Sequence, residues 1–278
     1  MSQKKMDLYG VMGDPISHSY SPNIHHLFAL QTNQNISYEL FLVPPDDLEN
    51  AIKSFQIKGG RGLNITLPHK TTVLNYLDEI SERARIAGAV NTLLFEEGRI
   101  CGDNTDGVGL MNDLEKNYNL KLKGLNILIL GAGGATRGIL QPLLKANPLS
   151  LTVANRTLQK ATALMEHFNS IGKISTCHFE DISDDITYEL IINATSAGTK
   201  GQSNFFPINN INKNTFCYDL SYSTKPTPFK KWSIEKGVRH SVDGWGMLIE
   251  QAAESFYLWR GIRPDTNGIL TKLLTHSH

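Results

Sequence analysis

The chain has 278 residues, 40% hydrophobic and 19% charged, a globular balance with length for one large domain or two moderate ones. Its Lys and Arg side chains (27) equal its Asp and Glu (27), which removes the electrostatic case for nucleic acid or an anionic membrane surface as partner. Three scattered cysteines (Cys101, Cys177, Cys217) without a C-x-x-C pair argue against a disulfide framework and a zinc cluster, and no metal is expected.

Lys4 and Lys5 are followed by Asp7 and Gly10 without a long apolar run, so neither a signal peptide nor a membrane span is expected, and the cytoplasm is. Residues 8–12, 38–43 and 62–65 read as strands. Between the first two, Ser21-Pro22 reads as a helix start, with Ser21 as cap, proline at the first helical position and Ile24, Leu27 and Phe28 on one face. Thr105 or Asp106 opens a helix to about Lys116 that carries Leu110, Met111 and Leu114, and residues 121–124 read as a linker. Strands follow at 126–130, 151–154, 190–193 and 215–219. Asn155 is placed to cap a helix of Leu158, Ala161, Leu164 and Met165. After Gly244 a long helix sets Met247, Leu248, Ala252 and Phe256 on one face. Strands alternating with helices indicate an α/β fold with a mostly parallel sheet. The last helix is expected to return to the N-terminal domain, giving a discontinuous domain of residues 1–104 plus 247–278 around a second of 105–246.

The apolar strand at 126–130 runs directly into Gly131-Ala132-Gly133-Gly134-Ala135-Thr136 and then an amphipathic segment through Ile139, Leu140, Leu143 and Leu144. Strand, glycine turn and helix form the setting in which backbone can approach a pyrophosphate at a helix N-terminus. Thr136 stands at the usual third glycine, and Pro142 is expected to interrupt or kink the helix. After the next strand, where an NAD-binding fold carries an acid for the ribose, this chain has Asn155-Arg156-Thr157 and Lys160. Two cations and a hydroxyl suit a 2′-phosphate, and cations at a helix start oppose its dipole unless an anion joins them. The cofactor reading is NADP(H) in a Rossmann-type domain. Asn193-Ala-Thr195-Ser-Ala-Gly198, after another strand end, fits a floor for that cofactor.

Three N-terminal clusters are unusually polar: Gly13-Asp-Pro-Ile-Ser-His-Ser-Tyr-Ser-Pro22, Asn64-Ile-Thr-Leu-Pro-His-Lys70, and Gly88-Ala-Val-Asn-Thr92 with Gly102-Asp-Asn-Thr-Asp-Gly107. Alternation sets Asn64 and Thr66 on one side of an extended chain. Many neutral hydrogen-bonding groups, one lysine and one or two carboxylates suit a small polyhydroxylated substrate.

These clusters, with G-A-G-G-A, N-R-T, N-A-T-S-x-G and D-G-x-G-M-L-x-x-Q-A in the same order, resemble the shikimate dehydrogenase family over nearly the whole chain. The resemblance implies an N-terminal α/β substrate domain and an NADP-binding domain. It also implies NADPH-dependent reduction of 3-dehydroshikimate to shikimate on the chorismate route to aromatic amino acids, as monomer or homodimer. By similarity Ser19 and Ser21 bind the substrate carboxylate, and Asn64, Thr66, Asn91 and Gln251 join Lys70 and Asp106 around the ring hydroxyls. Tyr222 matches a tyrosine that approaches the substrate from the cofactor domain. Thr195 lies on the cofactor floor, and Gly244 lies where the family's chain nears the nicotinamide. At Trp245 the family usually has a smaller aliphatic residue.

Hydride addition to a ketone builds negative charge on oxygen, which a lysine ammonium can stabilise and protonate. Lys70 is therefore the expected acid in reduction and base in oxidation, with Asp106 positioning it. Either member of the pair can carry the mobile proton, and His69 is an alternative relay. Three rivals stand beside this reading: a quinate/shikimate dehydrogenase that tolerates NAD, a non-catalytic homologue, and a folate-type methylene dehydrogenase. The Ser19/Ser21 pair, the basic 155–157 segment and the presence of Lys70 and Asp106 weigh against them.

Overall fold

The computed structural model describes residues 6–195 and 206–275. The chain up to Gly109 and again from Ile249 packs as one compact unit, and Leu110–Leu248 packs as a second. Both divisions fall inside helices, α4 (Asp106–Asn112) and α8 (Trp245–Arg260). Residues 121–124, read above as a linker, belong instead to the second unit, where Leu122 is buried.

The first unit contains β1 (Asp7–Gly13), α1 (Ser21–Thr32), β2 (Ile36–Leu42), α2 (Leu48–Ile57), β3 (Gly60–Ile65), β4 (Glu79–Ile80), α3 (Glu82–Ala87), β5 (Thr92–Glu96) and β6 (Arg99–Asp103). Its sheet has the order β2-β1-β3-β5-β6-β4. β1 is parallel to β2 and β3, whereas β5 is antiparallel to both β3 and β6. The β5–β6 hairpin, absent from the strand reading above, turns at Glu97 and Gly98, both at positive φ (50° and 82°). That two-residue turn matches the right-handed twist of the strands it joins.

Both faces of this sheet are covered, which is why β1 and β3 read as apolar runs. Ile52 and Phe55 of α2 pack with Met12, Leu63 and Ile65 on one face. On the other, Trp259 of α8 packs at a tilt of 34° on Tyr9 with ring centroids 4.8 Å apart, and Phe28 meets Phe256 edge-on at 5.8 Å. A fully buried phenylalanine of this kind contributes about 1.5–3 kcal/mol. Gly62 lies under Trp259, where an added Cβ would stand 2.3 Å from the indole nitrogen. A further helix, α9 (Ile269–Thr275), ends the described chain of this unit.

The second unit alternates β7 (Asn126–Leu130), α5 (Gly134–Lys145), β8 (Ser150–Ala154), α6 (Leu158–Phe168), β9 (Ser175–Cys177), β10 (Leu190–Asn193), β11 (Phe216–Asp219), α7 (Pro228–Glu235) and β12 (His240–Val242). All pairs are parallel and the order is β12-β11-β10-β7-β8-β9. Renumbered from β7, this is the doubly wound order 3-2-1-4-5-6, whose direction reverses between β7 and β10 and so puts a ligand crevice at their C-terminal ends.

Several local expectations are corrected. Ser21 does not cap α1. It is the helix's first residue, and Tyr20 before it makes no side-chain cap bond. Asn155 does not cap α6 either, because the helix starts three residues later and the Asn155 amide instead donates to the Thr157 carbonyl at 2.8 Å. Pro142 does not interrupt α5: the helix runs on to Lys145, and the Pro142 carbonyl still accepts from Ala146 N at 3.0 Å. Its place near the helix end limits the loss to its own donor. The helix from Asp106 continues past Asn112 as a π-turn, Asp113–Asn117.

Candidate active site

In the first unit two polar loops leave the C-terminal ends of β1 and β3. Gly13 ends β1, and a Cβ there would lie 2.4 Å from Thr66 Cγ2, so glycine lets the loops lie against each other. Asp14 N donates to the Leu67 carbonyl at 2.9 Å and Thr66 N to that of Met12 at 3.0 Å. Ser19 Oγ donates to Ser21 Oγ at 3.1 Å and accepts from Ser21 N at 3.3 Å, so the two expected carboxylate binders form one hydroxyl pair.

Beyond β3, Lys70 is fixed through its backbone carbonyl, which accepts from Val90 N at 2.8 Å. Its Nζ donates to Asp106 Oδ2 at 2.5 Å. The other carboxylate oxygen accepts from Asn91 Nδ2 at 2.8 Å, and the same amide reaches Thr105 Oγ1 at 2.9 Å and Gln251 Oε1 at 3.3 Å. Asn64, paired across the sheet with Thr92, donates to the Asn91 carbonyl at 3.1 Å and accepts from Tyr38 OH at 2.7 Å. Lys70, Asp106, Asn91, Gln251 and Asn64 thus form one connected cluster. The Lys70 side chain is 17% exposed and that of Asp106 is 5%, so the ammonium is the member that faces outward. A cation held by a buried carboxylate can hand a proton to an oxyanion and recover it without reorganising its surroundings.

His69 does not take part. It is buried, and its Nε2 lies 2.7 Å from the Val43 carbonyl, so the ring faces the wall of the unit.

The cluster includes partners not singled out in the sequence. Ser255 Oγ is within 3.2 Å of Asn64, Thr92 and Thr105 side chains, and Tyr38 holds Asn64 from the other side. Ser255 was legible, since it follows Gln251 by one helical turn. Arg83 grips Asp103 with two bonds of 2.7 and 2.8 Å and reaches Glu254 at 2.9 Å. Burial alone would raise the Asp103 carboxyl, but Arg83 and the Ser81 hydroxyl outweigh it and hold it below its ordinary value. That fork braces the turn into Asn104 and Asp106.

In the second unit Gly131 follows β7 at φ 104°, and its missing Cβ would meet the Ala194 carbonyl at 3.0 Å. Ala132 follows, and Gly133 precedes α5, with open space where a side chain would start. Gly134 and Ala135 begin the helix. Thr136, at the third-glycine position, is buried and its hydroxyl donates to the Gly131 carbonyl at 2.9 Å, which closes the turn that glycine would have left open. Arg156, Thr157 and Lys160 are exposed beyond β8, and neither cation forms an ion pair among the described residues. Arg137, in the first turn of α5, is a third cation that sequence reading passed over. It is half-buried, and burial lowers its guanidinium from the ordinary value.

At the ends of β10 and β11, Asn193 Nδ2 donates to Asp219 Oδ1 at 3.0 Å, and Asn193 Oδ1 accepts from Thr195 N and Oγ1 at 3.2 and 2.7 Å. Ser196, Ala197 and Gly198 of the expected floor lie outside the described residues. Burial raises the Asp219 carboxyl to about 6, opposed by bonds from Thr227, Ser221 and Asn193. Gly244 packs so that a Cβ would lie 2.3 Å from the Leu220 carbonyl, and Gly246 likewise meets the Asp113 carboxylate. Tyr222 packs on Trp245 with centroids 4.9 Å apart, and the Trp245 indole donates to the Ser223 carbonyl at 3.2 Å. The larger residue at 245 is therefore buried and satisfied.

Three family models match in succession: "Shikimate dehydrogenase substrate binding domain" over residues 11–93, "Shikimate / quinate 5-dehydrogenase" over 113–220, and "Shikimate 5'-dehydrogenase C-terminal domain" over 244–274. The chain is 49% identical over 268 residues to the shikimate dehydrogenase (NADP(+)) of Methylococcus capsulatus, covering 96% of each chain. Among solved structures, an Ael1 enzyme from Pseudomonas putida is 40% identical with a TM-score of 0.86, over 96% of this chain and 98% of that one. The shikimate 5-dehydrogenase of Thermus thermophilus in complex with NADP(H) and shikimate is 34% identical with a TM-score of 0.85, over 97% and 99%. With the glycine turn, the doubly wound sheet and the lysine–carboxylate cluster in place, the chain belongs to the shikimate dehydrogenase family.

Proposed function

We propose that the chain catalyses the reversible NADPH-dependent reduction of 3-dehydroshikimate to shikimate, with substrate bound by the first unit and cofactor by the second. The observation that carries this reading is the Lys70–Asp106 pair, 2.5 Å apart, within a cluster of neutral amides and hydroxyls. Ser19 and Ser21 receive the substrate carboxylate. Asn64, Thr66, Asn91 and Gln251 orient the ring hydroxyls, and Tyr222 is a further substrate-binding residue. Lys70 donates its proton to the ketone oxygen as charge builds there and removes the alcohol proton in the reverse direction. Asp106 keeps the ammonium oriented and lowers the cost of holding it partly buried.

The second unit fits a phosphorylated dinucleotide on its own geometry. Open space beside Gly133, the start of α5 and the positive φ of Gly131 leave backbone N–H groups approachable by a pyrophosphate. Gly131, Ala132, Gly133, Gly134 and Ala135 hold that group. Asn155, Arg156, Thr157 and Lys160 hold the adenosine ribose and its 2′-phosphate, and Thr195 and Gly244 border the nicotinamide. Bound NADPH supplies the hydride. The same reading gives a cytoplasmic enzyme acting as monomer or homodimer; among the described residues no helix is long and apolar enough to cross a membrane.

The test is an assay of reduced-nicotinamide absorbance with shikimate or quinate against NADP⁺ or NAD⁺. Shikimate with NADP⁺ should be the best pair. Activity confined to quinate and NAD⁺ would overturn the proposal.

A further inference from the structure

Asn193 opens the segment read as the cofactor floor and Asp219 has no assigned role, yet both are buried at the C-terminal ends of adjacent strands. Their side chains are joined at 3.0 Å. From Asn193 the links run to Thr195 N and Oγ1, so its one amide fixes the turn that follows β10. From Asp219 Oδ1 a bond of 3.1 Å takes Ser221 N, and the Ser221 carbonyl accepts from Gly244 N at 2.9 Å. The same turns press on two glycines, the Ala194 carbonyl against Gly131 and the Leu220 carbonyl against Gly244. None of these contacts involves the 155–160 segment.

We propose that Asn193 and Asp219 are positioning residues: their mutual hydrogen bond sets the height of the Ala194–Thr195 turn and the Leu220–Gly244 contact, and so shapes the seat for the nicotinamide half of the cofactor. The inference rests on the proposed NADP(H) function. It assigns the pair to one end of the dinucleotide, whereas Arg156 and Lys160 serve the other. Asp219 supplies acceptors: its Oδ1 takes both Asn193 Nδ2 and Ser221 N, and Thr227 also donates to the carboxylate.

The test is isothermal calorimetry of the purified protein with NADP⁺ and, separately, with 2′,5′-ADP, which carries the adenosine end alone. Wild-type protein that binds neither compound would defeat the NADP(H) reading itself. Given wild-type binding of both, Asn193→Ala should weaken NADP⁺ about tenfold and leave 2′,5′-ADP within about twofold, as expected for one buried hydrogen-bonding unit. Equal weakening of both ligands, or no change in NADP⁺, would overturn the inference. Asp219→Asn keeps an oxygen acceptor and should stay within about threefold of wild type, whereas Asp219→Ala should match Asn193→Ala. Asp219→Asn as damaging as Asp219→Ala would also count against it. Should Asn193→Ala not fold, Thr195→Val removes one link only. It should weaken NADP⁺ by about threefold with 2′,5′-ADP unchanged, and an unaltered NADP⁺ affinity would contradict the inference.

Discussion

The two candidate binding regions are built on opposite plans. In the first unit Lys70, Asp106, Asn91 and Asn64 are hydrogen-bonded to one another and to their neighbours in a largely buried cluster. In the second, Arg156 and Lys160 stand exposed with no ion pair among the described residues. A polyhydroxylated ring carries little charge, so its orientation has to come from groups already fixed, whose ordering cost was met on folding. A phosphate dianion brings strong charge-assisted bonds of its own and needs cations that are reachable rather than already paired. Substitutions in the first region should therefore act on chemistry, and those in the second on affinity.

The largest expected effect is that of Lys70→Ala. Loss of the proton donor should lower turnover by about 10²–10⁴-fold, measured as the steady-state rate at saturating substrate and cofactor. Near-normal turnover would remove Lys70 from the chemistry. Next comes Arg156→Ala, which should raise KM for NADPH by about tenfold or more while KM for NADH changes little, since only the former carries the 2′-phosphate. Equal loss for both cofactors would reassign that arginine.

A smaller effect concerns stability. His25 is fully buried and stacks on Tyr38 with centroids 4.2 Å apart and rings 6° from parallel. Burial pushes its imidazole down from 6.5 to about 3, opposed only in part by Asn64. The folded form therefore stays neutral while the unfolded chain takes up a proton below pH 6.5, so stability rises with pH across the window from about 3 to 6.5 and is lost on acidification. Between pH 7 and 5 this one group should cost about 2 kcal/mol. His25→Phe keeps a ring on Tyr38 and should flatten that part of the urea-denaturation profile; parallel pH profiles for the two proteins would show that His25 is not its source.

The difference between the regions also governs what could be read in advance. The four central strands of the second unit were legible, because a parallel sheet buried on both faces leaves uninterrupted apolar runs such as residues 126–130 and 190–193, whereas the three-residue edge strands β9 and β12 were too short to read. The β5–β6 hairpin was not. Its strands carry the polar residues Thr92 and Asp103 of the cluster, and its turn uses Glu97-Gly98 in place of a stronger Asn-Gly signal. Helix starts failed at Ser21 and Asn155 because their side chains bond within loops instead of capping, which composition does not distinguish. At the candidate site the motif residues were found, the neutral Asn64, Asn91 and Gln251 as well as Lys70 and Asp106, whereas Tyr38 and Thr105 were not, nor was Ser255 despite its place one helical turn after Gln251. Their contribution depends on long-range packing, as with Asn64 and Ser255, 191 residues apart.

The most direct test measures turnover and NADP⁺ affinity together on Lys70→Ala and Arg156→Ala. The expected outcome is crossed. Lys70→Ala should lose turnover while its NADP⁺ affinity stays near wild type, and Arg156→Ala should lose affinity while turnover at saturating cofactor persists. Two variants that lose both properties in parallel would contradict the separation of chemistry in the first unit from cofactor anchoring in the second.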